Sequence, residues 1–352
     1  MSSLRVLHLG TEKSWRGGEN QIRLLVEGAK SQGIESHIAY PKSSKAFQKF
    51  EAIAPVCALP SRSGIDPRSI ITLKKYCTDH NIQILDAHSS AAVSLALKVK
   101  GLIPSLKLVV HRRVAFPIKN NFFSRRKYLN PKVDQYVSIS QCIAEVLTDA
   151  GIEKDKVAVV PSAIDVSTYD RVTAEKSDTL KIGMTSALTD EKGHDTVLRA
   201  LTKVSEDYKF EIAGDGSQLY ALKALTRVLK LDDKVTYLGR LDDIKSFMKS
   251  LDIFLMPSRF EGLGTSVLEA MAAGVFVIGS NTGGIPEMVK DGETGLLAEV
   301  DDVVDWAEMI SKAIKDPELR EKCKTVARSH IKKHFSLEAM VSGNVNVYKK
   351  LV

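Results

Sequence analysis

The chain has 352 residues, 44% apolar and 26% charged, an ordinary globular balance with length enough for two domains. No run approaches the roughly 18 apolar residues of a membrane span, and the opening run Leu4–Leu9 is too short for a secretory signal. The net charge of +7 is uneven: residues 1–165 hold 24 Lys and Arg against 14 Asp and Glu, and the remainder 26 against 29.

Leu4–Leu9 reads as a buried strand, followed by a glycine-containing loop and a helix with Ile22, Leu25, Val26 and Ala29 on one face. Further strand-like runs fall at 36–40, 56–59, 83–86, 106–110, 135–138 and 156–160, most of them separated by helix-length segments. Residues 164–178 are polar and aperiodic, as in a linker, and then the pattern restarts. Strands are expected at 180–185, 210–213, 235–238, 253–256 and 276–280, with a helix over 195–204. The tail reads as a helix capped by Ser336, with Leu337, Met340, Val341, Val345 and Tyr348 on one face. Two successive α/β units with parallel sheets predict ligand binding beyond the carboxyl ends of the strands, in a cleft between two lobes. The expected domains are 1–165 and 166–335, with the 336–352 helix crossing back to the first.

Cys57, Cys77, Cys142 and Cys323 stand too far apart in sequence for a metal or redox pair, so reduced thiols in a cytosolic protein are expected. Between Asp86 and Asp134 there is no acidic residue, while Lys98, Lys100, Lys107, Arg112, Arg113, Lys119, Arg125, Arg126, Lys127 and Lys132 crowd that window. Such a patch concentrates anionic partners; the alternative is a solvated face. The window lacks the interleaved aromatics of a single-strand platform, so nucleic acid is not expected.

The densest cluster of chemistry runs from Met256 to Gly274, at a strand end entering a helix. Gly262 and Gly264 let backbone approach a ligand, and Thr265 and Ser266 lie where free amides and the helix dipole favour an anion. Glu261 and Glu269 bracket the turn, as acceptors for sugar hydroxyls. Ser266-x-x-Glu269 is equally a capping box, which would make Glu269 structural.

The run Glu261-Gly-Leu-Gly-Thr-Ser-Val-Leu-Glu269, with Gly283-Gly-Ile-Pro-Glu287 and Asp291-Gly-Glu-Thr-Gly295, closely resembles the retaining GT-B glycosyltransferases of family 4. Glu191-Lys-Gly-His194, Ala213-Gly-Asp-Gly216, Leu238-Gly-Arg240 and Gly17-Gly-Glu19 extend the resemblance over nearly the whole chain. It implies two facing Rossmann-like domains around a deep cleft, and transfer of a sugar from a nucleotide-sugar of UDP or GDP type, with retention and without a metal or other cofactor. No Asp-x-Asp triplet for a divalent ion occurs. Glu261 would bind the donor sugar, Glu269 the ribose, and Lys192 the leaving diphosphate. Gly17, Gly18, Gly216, Arg240, Gly262, Leu263, Gly264 and Thr265 would complete the donor site. Arg113 stands at about the place where many relatives have a His near the reacting sugar, a departure from the pattern, and the upstream His88, after another strand, would line the same cleft. The acceptor would be an anionic or lipid-linked envelope glycan, such as a lipopolysaccharide core, met by Arg112, Arg113, Arg125, Arg126 and Lys127, with peripheral contact to an anionic inner membrane face. The family's usual Arg five residues before the Lys is replaced by Ala187, so half of its cationic pair is missing; Arg16, Arg240 and Arg259 are candidates to compensate.

A dehydrogenase is disfavoured, because no Gly-x-Gly-x-x-Gly follows the first strand. An epimerase or glycogen-type synthase of similar fold, or a non-catalytic relative that binds nucleotide-sugar or lipid, remains as an alternative.

Overall fold

The computed structural model describes residues 3–118, 121–173 and 179–352. Lys119 of the basic window, and the end of the expected linker, lie outside them. Contacts divide the chain into two compact units, one running to Ser162 and resuming over Leu337–Val352, the other spanning Ala163–Ser336.

Among the described residues the first unit contains seven parallel strands: β1 Leu4–Leu9, β2 Ile34–Pro41, β3 Val56–Leu59, β4 Ile84–Ala87, β5 Lys107–Arg112, β6 Gln135–Ser138 and β7 Val157–Val159. Their order is β3-β2-β1-β4-β5-β6-β7. Val6, Leu7, Leu9, Leu85, Leu108 and Val110 are buried, as strands covered on both faces require. The helix Gly17–Ala29 turns its expected apolar face, Ile22, Leu25, Val26 and Ala29, into the interior.

The second unit has β8 Lys181–Thr185, β9 Lys209–Ala213, β10 Val235–Gly239, β11 Ile253–Met256, β12 Phe276–Ser280 and β13 Leu296–Ala298, in the order β10-β9-β8-β11-β12-β13. Trp306, Phe210, Phe276 and Leu255 are central to its core. Sequence reading missed β13, whose three residues are too few to show a period. The helix expected over 195–204 runs His194–Leu201. The aperiodic segment after Ser162 contains a short helix, Ser167–Asp170, anchored by buried Tyr169.

The last helix, Leu337–Leu351, belongs to the first unit. It lies so close to the helix Gly17–Ala29 that a Cβ on Gly28 would fall 2.5 Å from a Val341 methyl. Gln32 Nε2 donates to Ser342 Oγ at 2.9 Å, and Val341, Val345 and Tyr348 are buried. Val345→Ala should therefore cost about 2 kcal/mol by emptying a packed site. Urea unfolding should show a lower midpoint with an unchanged slope, whereas a loosely docked tail would leave the midpoint where it is.

Candidate active site

Where strand order reverses in a parallel sheet, the loops leaving the two carboxyl ends diverge and open a crevice. In the second unit that point lies between β8 and β11. Lys192 ends the short turn Asp190–Lys192 after β8, and Glu261 stands in the loop after β11. They meet: Lys192 Nζ donates to Glu261 Oε2 at 2.5 Å, and Glu261 Oε1 accepts the Gly262 N–H at 3.2 Å. The side chains are 23% and 15% exposed, enough to leave the ammonium's other protons available.

The loops are in backbone contact. A Cβ on Gly193 (φ +62) would lie 2.0 Å from the Pro257 carbonyl oxygen, and one on Gly283 (φ +57) 2.0 Å from that of Glu261. Only glycine fits at either place. Arg259 ties the same loops electrostatically. Its Nε reaches both Asp301 oxygens at 2.9 Å, its Nη2 reaches Asp195 at 2.9 and 3.0 Å, and its amide donates to the Glu191 carbonyl at 2.8 Å. Arg259 is thus committed to three loops, and Ala187 is exposed. Arg240, exposed after β10, has no hydrogen bond or ion pair among the described residues.

The helix Thr265–Ala273 starts from Gly264 (φ +89) with no side-chain cap, which leaves its first amides open to an anion. Ser266 lies inside the helix, so the capping box read from Ser266-x-x-Glu269 does not form, because glycine already supplies the turn. Glu269 is half-buried and makes no hydrogen bond among the described residues. Burial raises its carboxyl to about 7, opposed by the charge of Lys245. Leu263 is buried, so only its backbone is available. Gly216 donates its N–H to Asp215 Oδ1 at 2.8 Å and sits where a Cβ would meet the Leu188 carbonyl at 2.3 Å. His194, which burial pushes down to about 4, shares a hydrogen bond with Ser186 Oγ at 3.0 Å and fixes the β8 loop.

In the first unit the order reverses between β1 and β4. Gly17 and Gly18 open the helix after β1. Buried Glu19 closes that turn, accepting the Arg16 N–H at 3.0 Å and the Tyr40 hydroxyl at 2.8 Å. His88 follows β4 and Arg113 follows β5, with Arg113 Nη2 3.3 Å from His88 Nδ1. Both line a cavity of about 220 Å³, together with Glu12, Ser89, His111 and Tyr128.

The basic window divides. Arg112 turns inward, with its guanidinium 5.1 Å from the Tyr128 ring centroid and donating to the Phe116 carbonyl. Arg125 and Arg126 are exposed on the helix Phe122–Tyr128, while Lys127 donates to Ser90 Oγ at 2.5 Å. Exposed Val114, Phe116 and Phe122 lie in the same segment, although no apolar anchor was evident from sequence. Sequence reasoning also passed over Asp86 and Tyr348, which hydrogen-bond in the interior at 2.5 Å. The available signal was an aspartate in the buried strand Ile84–Ala87.

The profile of Glycosyltransferase Family 4 matches residues 15–168, and that of Glycosyl transferases group 1 matches residues 165–330. An uncharacterized glycosyltransferase of Methanocaldococcus jannaschii is 30% identical over 79% of this chain and 78% of its own length. The lipopolysaccharide core biosynthesis glycosyltransferase LpsE of Rhizobium meliloti is 25% identical over 70% of this chain and 71% of its own. A match at higher identity spans less: the N-acetyl-alpha-D-glucosaminyl L-malate synthase of Bacillus anthracis is 34% identical over 43% of this chain and only 40% of its own length. The crystal structure of Anabaena HepE with UDP and glucose superposes with a TM-score of 0.84 at 18% identity, covering 99% of this chain and 100% of HepE. The chain belongs to the group 1, family 4 glycosyltransferases, with two Rossmann-like domains of the GT-B fold, and is a transferase enzyme.

A carboxyl whose pKa rises on folding, here from 4.5 to about 7 by burial, binds more protons in the folded state. Its contribution is full below the unfolded value and is lost as pH rises through the folded one. Against Glu269→Gln, the wild-type protein should therefore lose about 2 kcal/mol between pH 5 and pH 8, less than the full shift because the side chain is only half-buried. Parallel Tm profiles across that range would expose a Glu269 without this burden.

Proposed function

We propose that the enzyme transfers a hexose, with retention and without a metal or other cofactor, from a UDP- or GDP-sugar to an anionic or lipid-linked envelope glycan. The observation that carries this reading is the Lys192–Glu261 pair at the strand-order reversal, beside an uncapped helix start. Amides of Gly264, Thr265 and Ser266 receive phosphate oxygens. Lys192 receives the charge that grows on the diphosphate as the bond from sugar C1 to phosphate oxygen breaks, the acceptor hydroxyl oxygen bonds to C1 and its proton passes to the departing phosphate oxygen. A fixed ammonium stabilises that developing charge more than the ground state. Glu261 accepts sugar hydroxyls, and Glu269 the ribose hydroxyls. Gly17, Gly18, Gly216 and Arg240 are assigned to the donor, His88 and Arg113 to the reacting sugar. UDP and glucose in HepE support the donor class.

The acceptor class rests on the basic window and on the name of the relative from Rhizobium meliloti. Arg125 and Arg126 stand exposed, and the Arg126 guanidinium lies 5.7 Å from the centroid of the exposed Phe122 ring, a pairing of charge and apolar surface suited to an anionic membrane interface. Among the described residues no helix is long and apolar enough to cross a membrane, so the expected attachment is peripheral, at the inner face.

Lys192→Ala should lower turnover about 10²-fold or more, since it removes one preorganised donor and leaves Glu261 beside the diphosphate without its counter-charge. Release of nucleotide from a panel of UDP- and GDP-sugars measures this, and a variant near wild-type turnover would remove Lys192 from the mechanism.

Reversal of Arg125 and Arg126 to Glu should abolish binding to anionic vesicles at low salt while donor affinity holds. Each basic residue near such a surface contributes about 1 kcal/mol, screened within a Debye length. Co-sedimentation indifferent to lipid charge and to salt would make the window a solvated face.

A further inference from the structure

Asp86 lies inside a central parallel strand, between β1 and β5, at zero exposure. An unpaired carboxylate there would cost several kcal/mol. His8 is its register partner across β1, and His8 Nδ1 and His88 Nε2 each lie 3.2 Å from Asp86 Oδ2. His111 Nε2 is 3.1 Å from Oδ1. From the last helix, Tyr348 donates its hydroxyl to Oδ2 at 2.5 Å, across 262 residues of sequence. Burial pushes against the Asp86 charge, but His111, His88 and His8 around it outweigh burial and hold the carboxyl well below its usual range. Burial presses His88 down to about 3 and raises Tyr348 well above its ordinary value, so the imidazole stays neutral and the phenol stays a donor.

The place of the proton on His88 can be read from its neighbour Arg113. A guanidinium only donates, so His88 Nδ1, 3.3 Å from Arg113 Nη2, is the acceptor. The ring proton of a neutral His88 therefore sits on Nε2, between Asp86 Oδ2 and His8 Nδ1, each 3.2 Å away. Close polar contacts then run from the last helix to the cavity: the Tyr348 hydroxyl donates to Asp86, Asp86 Oδ2 lies 3.2 Å from His88 Nε2, and Arg113 donates to His88 Nδ1. Arg113 Nε is itself buried without a partner among the described residues, and the residue lines the cavity beside the glycine turn, its Cδ 3.9 Å from where a Cβ on Gly18 would stand. His8 Nδ1, His88 Nε2 and Asp86 Oδ2 lie within 4.8 Å of one another, a spacing that suits tetrahedral zinc. A metal on Nε2 would have to displace the proton held there, in reach of a guanidinium charge.

We propose that Asp86 and Tyr348 are positioning residues, which hold His88 in the Nε2–H tautomer and thereby aim the Arg113 guanidinium into the cavity beside the glycine turn. The effect on turnover rests on the role assigned to Arg113 above; the tautomer does not.

Long-range ¹H–¹⁵N correlation on the full chain labelled at histidine reads the tautomer directly, without substrate. Wild-type His88 should be bare at Nδ1 and protonated at Nε2, and unchanged by stoichiometric zinc. In Tyr348→Phe, and more fully in Asp86→Asn, the two tautomers should exchange. The kcat for UDP release from UDP-glucose should fall about tenfold in Tyr348→Phe, with the KM for donor unchanged. A wild-type His88 protonated at Nδ1, zinc-induced loss of the Nε2 proton, or a folded Tyr348→Phe with unaltered tautomer overturns the proposal. Should Asp86→Asn not fold, Tyr348→Phe carries the decision alone, since it removes one oxygen and keeps the ring. An altered tautomer with unaltered turnover leaves the network standing and removes Arg113 from the reaction.

Discussion

A parallel sheet forces its connections to cross over, and every strand then delivers its following loop to the same edge. Both sheets here also reverse order once, between β1 and β4 and between β8 and β11. At those two places neighbouring loops leave in opposite directions, and almost every candidate residue lies on a loop that begins at or beside one of them. Gly18 and His88 follow the first pair, Lys192 and Glu261 the second. The candidate sites are consequences of strand order before they are consequences of side-chain identity.

Within that geometry two kinds of contact fix the loops of the second unit. One is backbone against backbone, possible only because Gly193 and Gly283 lack a Cβ. The other is Arg259, whose guanidinium gathers Asp195 and Asp301 while its amide holds Glu191. Asp301 adopts φ +59, uncommon for a residue with a Cβ, and its ion pair with Arg259 helps hold it there. The Lys192–Glu261 pair is therefore held from both sides by atoms that take no part in it.

Much of this was legible in the amino-acid order. Apolar runs located twelve of the thirteen strands, and Glu261 to Glu269 marked the strand-to-helix turn because glycine spacing and carboxylates coincide there. What was not legible depends on long-range partners. Ser266 and Glu269 have capping-box spacing, yet Gly264 begins the helix earlier and removes that role. Arg259 looked like a spare cation until its carboxylates, distant in sequence, came into view. Arg112 and Arg125 belong to one basic stretch, but only the fold turns one inward and the other out. No local pattern links Asp86 to Tyr348.

That last contact bears on how the protein is made. Synthesis proceeds from the N-terminus, and domains tend to fold as they emerge. The second unit is one continuous stretch, Ala163–Ser336, whereas the first is closed by Leu337–Val352. On the ribosome, the unit begun first is finished last. Asp86 must wait for its Tyr348 donor until the other unit has been translated in full. A chain lacking Leu337–Val352 would keep every residue of the second unit and lose from the first the hydroxyl that donates to Asp86.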